Sequence, residues 1–313
     1  MRCPARVKQG SRARARSYRE AMTFNDNARV GGNRARRRGA GVAIAGGGVA
    51  GLGVVVVLLL NLFTGGDFSS LLGGGAPPEQ GADPGGTAIE GCETGQDANA
   101  NDDCRIAAAS LALDEFWAGQ LEGYREPQLI VVDGSTSTRC GTASNAVGPF
   151  YCPPEETVYV DPSFFALLRD RFDATAGPLA QLYVLAHEYG HHIQALVGVF
   201  EQHPDNGTGP ESNGVRTELQ ADCFAGAWVG GMTEVTDEHG TPFLQAPTAA
   251  QIADALDAAA AVGDDHIQAQ SGGGVDPERW THGSSEQRQR WFDVGYRQGA
   301  GACDTFAVDG AGL

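Results

Sequence analysis

The run Ala40–Phe63, AGVAIAGGGVAGLGVVVVLLLNLF, constrains this 313-residue chain more than any other feature, because its 24 residues carry no charge. About 20 apolar residues wound as a helix cross the hydrocarbon core of a bilayer, so one transmembrane helix over 40–63 is expected. Its six glycines would weaken a helix in water but are tolerated in lipid, where the backbone must satisfy itself. The run is longer than the apolar core of a signal peptide and no A-x-A site follows it, so a retained anchor is expected.

Charge divides at this run. Residues 1–39 hold twelve Lys and Arg against only Glu20 and Asp26, whereas the whole chain has a net charge of −17. Arg34, Arg36, Arg37 and Arg38 stand directly before the apolar run, which places 1–39 in the cytoplasm as a basic segment and the remainder outside it. The rival reading, a nucleic-acid patch, is weaker this close to a membrane span, so no nucleic-acid partner is expected. Residues 64–91 are rich in Gly, Pro, Asp and Ala and read as a flexible linker. Residues 92–313 have globular composition and form the expected extracytoplasmic domain. Its six cysteines, Cys92, Cys104, Cys140, Cys152, Cys223 and Cys303, suit disulfides in an oxidising compartment. Six cysteines allow fifteen connectivities; proximity favours Cys92–Cys104 and Cys140–Cys152, which leaves Cys223–Cys303.

Periodicity predicts helices over 106–121, 163–172, 178–199, 215–232, 248–262 and 284–298, and short strands over 128–132 and 157–160. Pro178 suits a first helical turn, Ser284 begins a capping-box pattern, and Gly299 stops the last helix. The domain is thus mixed, with more helix than strand.

Within the 178–199 pattern stands His187-Glu188-Tyr189-Gly190-His191, an H-E-x-x-H. Positions i and i+4 share one helix face, so both imidazoles can reach one ion, and Glu188 can accept a proton from water there. Three protein ligands plus water make the usual catalytic zinc set. Glu218, in the E-x-x-x-D of the next helix, supplies the third. Asp222, one turn on, can accept the free ring N–H of a zinc histidine and fix its tautomer. His192 faces away and reads as structural. His203, His239 and His266 lie in polar sequence and read as exposed. Gly148–Val160, GPFYCPPEETVYV, can form a strand edge along the cleft, where an extended peptide would add, or an ordinary edge blunted by prolines.

The blocks HEYGHHIQ, TELQADCFAG, THGSSEQR and GPFYCP closely resemble the bacterial neutral zinc metallopeptidases, membrane-anchored relatives of the gluzincins. The resemblance covers about residues 104–306 and includes the layout of a basic segment, one span and a Gly-rich linker. It implies a zincin-like fold in which His187, His191 and Glu218 bind Zn2+, Glu188 is the general base and Asp222 orients a ligand. His282 matches a position of the family. It either stabilises the oxyanion near the metal or caps the last helix, and Arg288 either shares the oxyanion role or pairs with an acidic residue near the site.

The expected fold class is therefore α+β: a mostly helical, zincin-like catalytic domain with a small antiparallel sheet, preceded by one transmembrane helix. The expected function is a zinc peptidase of gluzincin type acting on peptide or protein substrates, anchored in the cell membrane with its N-terminus cytoplasmic. Two alternatives stand beside it: a non-catalytic zinc-containing envelope binding protein, and an acidic domain that docks a basic partner.

Overall fold

The computed structural model describes residues 23–39, 85–172, 176–270 and 274–313. The expected span over 40–63, most of the expected linker and residues 1–22 lie outside the described residues. Among the described residues no helix is long and apolar enough to cross a membrane.

Strands β1 (Arg36–Gly39), β2 (Thr87–Ala88), β3 (Gln128–Asp133), β6 (Phe150–Cys152) and β7 (Thr157–Val160) form one sheet in the order β2-β1-β3-β7-β6. The antiparallel sheet expected from the sequence is corrected here to a mixed one. β1 runs parallel to β3 and β3 parallel to β7, while β2 and β6 pair antiparallel at the two edges. The connection from β3 to β7 runs through a separate hairpin, β4 (Ser135–Thr138) and β5 (Gly141–Ser144), and then re-enters the sheet as β6, opposite in direction; the turn at Pro153–Glu155 reverses it into β7, parallel to β3. All four apolar residues of β3, Leu129–Val132, and the whole of β7 are buried, as expected for parallel strands covered on both faces.

The folded unit also takes in residues expected to stand apart from it. Phe24, Ala28 and Val30 are fully buried in the main core, and β1 lies inside the sheet rather than at its edge. Residues 23–39 thus pack into the same core as the described residues that follow Gly85.

The helices begin where side chains satisfy their first N–H groups. Helix α1 (Gly95–Ala100) is capped by Thr94, and α2 (Asp102–Gln120) by Asn101, whose side chain accepts from Asp103 and Cys104 N–H. After α3 (Phe164–Phe172), Pro178 opens α4 (Pro178–Leu196), which is followed by the short α5 (Val199–Gln202). Ser212 caps α6 (Asn213–Gly231), and Thr248 and Ser284 form full capping boxes on α7 (Ala249–Ala261) and α9 (Ser285–Gln298). Helix α8 (Asp264–Gln270) precedes α9. Helix α4 lies between α2, α6 and α7, and α9 packs along α6. A Cβ at Gly295 would fall on the Cys223 carbonyl, so the absence of a side chain there lets α9 and α6 approach backbone to backbone.

The three disulfides are Cys92–Cys104, Cys140–Cys152 and Cys223–Cys303. The last fastens α6 to the C-terminal segment.

Candidate metal centre

Helix α4 is buried along most of its length, which brings the H-E-x-x-H inside the molecule rather than onto its surface. Gly190 sets its distance from α6: a Cβ there would lie 2.9 Å from the Ala221 Cα. That close crossing carries Glu218 to the histidines. Its Oε2 lies 3.2 Å from His187 Nε2 and its Oε1 3.5 Å from His191 Nε2. The three ligand atoms lie within 4.8 Å of one another, all on buried side chains, and could hold a metal ion.

The other ring nitrogen of each histidine is already engaged. His187 Nδ1 lies 2.8 Å from Asp222 Oδ1. A carboxylate only accepts, so Nδ1 carries the hydrogen and Nε2 offers its lone pair. His191 Nδ1 lies 2.8 Å from Gln194 Oε1, while the Gln194 amide donates to Thr217 O and Gln220 Oε1. That amide orientation again leaves the ring Nδ1 as donor. The donor set therefore fits zinc: two imidazoles in the right tautomer and one carboxylate.

Asp222 is fully buried and is held by four donors. Tyr183 OH donates to Oδ1 at 2.5 Å beside His187, and Arg288 donates through Nε to Oδ2 at 2.8 Å and through a terminal nitrogen to Oδ1 at 2.9 Å. Burial alone would raise its pKa. The Arg288 and His187 charges and these hydrogen bonds outweigh that and hold it at about 2. Glu218 is likewise driven below the ordinary carboxylate range against its burial, by the neighbouring histidines.

Glu188 lines the same cleft and accepts no comparable set of bonds. Its burial pushes its carboxyl above the usual value, and the Tyr151 backbone N–H and the histidines counteract this only in part. His282 stands across the cleft. Asp264 organises it: one carboxylate oxygen accepts the backbone N–H groups of Thr281, His282 and Gly283 at 2.7, 2.6 and 2.9 Å. The other lies 3.3 Å from His282 Nδ1. The remaining walls are apolar, from Val147, Phe150, Phe164, Val184, Val262 and Ile267. Strand β6 contributes Phe150 and Tyr151 to the cleft as the outer strand of its sheet.

The structure thus brings together His187, Glu188, His191, Glu218, Asp222, His282 and Arg288. Arg288 turns its guanidinium onto Asp222, the pairing that the sequence left open. His192 is fully buried between the Tyr151 hydroxyl and the Arg125 carbonyl. His239 is exposed as expected, whereas His203 and His266 are half-buried. Sequence reasoning missed Gln194 and Asp264. Gln194 was legible as the third residue after His191, one turn along the same face; Asp264 is distant from His282 in sequence and left no local signal.

Residues 14–306 match the family described as "putative neutral zinc metallopeptidase". The chain belongs to that family. Two of its relatives are an uncharacterized protein of Mycobacterium tuberculosis, 48% identical over 225 residues, 71% of this chain and 77% of the relative, and the uncharacterized protein YpfJ of Escherichia coli. The latter is 36% identical over 272 residues, covering 83% of this chain and 87% of YpfJ. No solved structure matches the chain.

Proposed function

We propose that this protein is a zinc-dependent peptidase of gluzincin type, with His187, His191 and Glu218 as the metal ligands. The observation that carries the reading is the pair of Nε2 atoms presented with Glu218 in a cleft that Glu188 also lines. Zinc held there supplies Lewis acidity, which brings the pKa of water toward 7 and polarises a carbonyl.

The chain's own residues do the rest. Glu188 takes the proton of the attacking water and returns it to the leaving amine; its burial raises its basicity toward what that transfer needs. His282, steadied by Asp264, stabilises the negative charge that develops on the carbonyl oxygen. Asp222 keeps His187 in the ligating tautomer, and Gln194 does the same for His191. The apolar walls exclude water and receive side chains of the peptide, whose backbone adds to the β6 edge.

The uncharged run 40–63 supports attachment of the enzyme to a membrane, and the three disulfides support a catalytic unit outside the cytoplasm.

The test is metal analysis together with cleavage of a peptide library. The purified protein is expected to carry one zinc per chain, and Glu188→Gln to keep that zinc while kcat falls by about 10³-fold or more. Normal cleavage by this variant would remove Glu188 as the base. Zinc without any cleavage by the parent chain would favour the non-catalytic binding protein instead.

A further inference from the structure

Helix α4 has a second cavity on the face opposite its metal-binding residues. Tyr189 stands two positions after His187, about 200° around the helix. It lines a space of about 120 Å³ enclosed by α2, the approach to β3 and residues 32–35. A space of that size takes several waters or a small organic group.

Tyr189 is fully buried, and its hydroxyl has no hydrogen-bond partner among the described residues. Its polar neighbours are Ser110 and Asp114. Ser110 already gives its hydrogen to the Ala107 carbonyl at 2.8 Å. Asp114 accepts from Tyr124 OH on one oxygen, at 2.7 Å, and a carboxylate has room for further donors. A buried hydroxyl is rarely left unbonded, so an orphan at the wall of a polar cavity marks where something else bonds.

The charge of the cavity says what that is. Asp114, Glu115 and Glu126 line it against one guanidinium, Arg34, which pairs with Glu126. The surplus is negative. Burial lifts the Asp114 carboxyl to about 7 even with Arg34 near it, so Arg34 does not serve as its counter-ion. A bare metal ion suits the space poorly: among the described residues, the one group placed to hold an ion is His187, His191 and Glu218. A cation that carries its own N–H groups can span wider gaps. An ammonium has three donors and no acceptor, enough for Asp114, a lone pair of Tyr189 and one outer carboxylate. Ala35, Leu111, Pro127 and Leu129 provide apolar wall for a short alkyl chain.

We propose that this cavity binds a primary alkylammonium, from a free amine or a lysine side chain, with Asp114 as counter-ion and Tyr189 as second acceptor. A ligand there touches α2, α4 and residues 32–35 at once, and so braces from behind the helix that carries His187 and His191. The site needs neither the metal nor the peptidase reading.

The test is titration of the full chain with n-butylamine, followed by calorimetry and by ligand NMR. Saturable binding at one site is expected, at least tenfold tighter than for n-butanol, which has the same chain without the charge. Asp114→Asn should weaken it at least tenfold and Tyr189→Phe severalfold. Affinity of the parent chain should rise roughly tenfold from pH 6 to pH 8 as Asp114 ionises. The other groups facing Asp114 are Tyr124, Tyr189, Glu115, Arg34 and Glu126. Burial raises both tyrosines, and an ordinary carboxylate or guanidinium keeps its charge across that window. N-acetyl-lysine methylamide separates the sources: if it binds as well, a lysine side chain can enter; if it is excluded, the ligand is a free amine. Equal binding of n-butanol, unchanged affinity in both variants, or an affinity that ignores pH would overturn the proposal. So would calcium binding that Asp114→Asn abolishes in a chain that takes up no amine.

Discussion

Asp222 shows how one buried carboxylate can orient a candidate metal ligand, His187, without being part of the candidate ligand set. It spends one oxygen largely on His187 and Tyr183 and gives the other to Arg288. Arg288→Met leaves that carboxylate buried without its counter-charge, a change that typically costs about 3–5 kcal/mol. Thermal unfolding should show that loss, and chelator competition should show zinc affinity reduced roughly 10–100-fold. In Arg288→Met/Asp222→Asn the stability should largely return while the affinity stays low. Asp114 offers a different residue-scale test. Burial lifts its carboxyl to about 7 despite the bond from Tyr124 OH. The unfolded chain ionises it near 3.8, so the folded state loses stability as pH rises from about 4 to 7, and the loss is constant above that. Asp114→Asn has no such term. Its stability relative to the parent should climb over that window by up to about 4 kcal/mol, read from denaturant unfolding at a series of pH values.

At the scale of the element, the candidate metal centre depends on how closely three helices cross. Gly190 brings α4 onto α6, and Gly295 brings α9 onto the other side of α6. Gly295→Ala should force α6 and α9 apart, costing about 2–3 kcal/mol. A differential scan would then show a melting temperature several degrees lower. The helices were legible in the sequence because their stripes, caps and stops agree, as Thr248 and Ser284 sit where a first turn needs an acceptor; the Ser212 cap came only from the structure. His187 and His191 were legible as a pair because helical spacing alone puts them on one face. β1 was not legible. Its sequence, Arg-Arg-Arg-Gly, has low strand propensity and no apolar alternation; the backbone bonds of β2 and β3 on either side make it a strand. The parallel direction of β3 and β7 was hidden for a related reason. Strand direction follows from the path of the connection, which the composition of the strands themselves does not encode.

For the molecule as a whole, the Cys223–Cys303 disulfide closes a loop of 80 residues around α7, α8 and α9. Removing it as Cys223→Ala/Cys303→Ala should lower the unfolding free energy by about 2–5 kcal/mol. Gln220 donates to the Cys303 carbonyl and also holds Gln194, so the same variant should weaken zinc retention, measured as the rate of loss to a chelator. All three disulfides lie within residues 92–303, and none reaches the segment 23–39 that completes the sheet. A single nick between Gly39 and Gly85 would therefore break the covalent tie of that segment to the rest of the chain while leaving its strand pairing whole. The product would be a two-piece protein whose small fragment co-purifies with the large one until a denaturant pulls them apart.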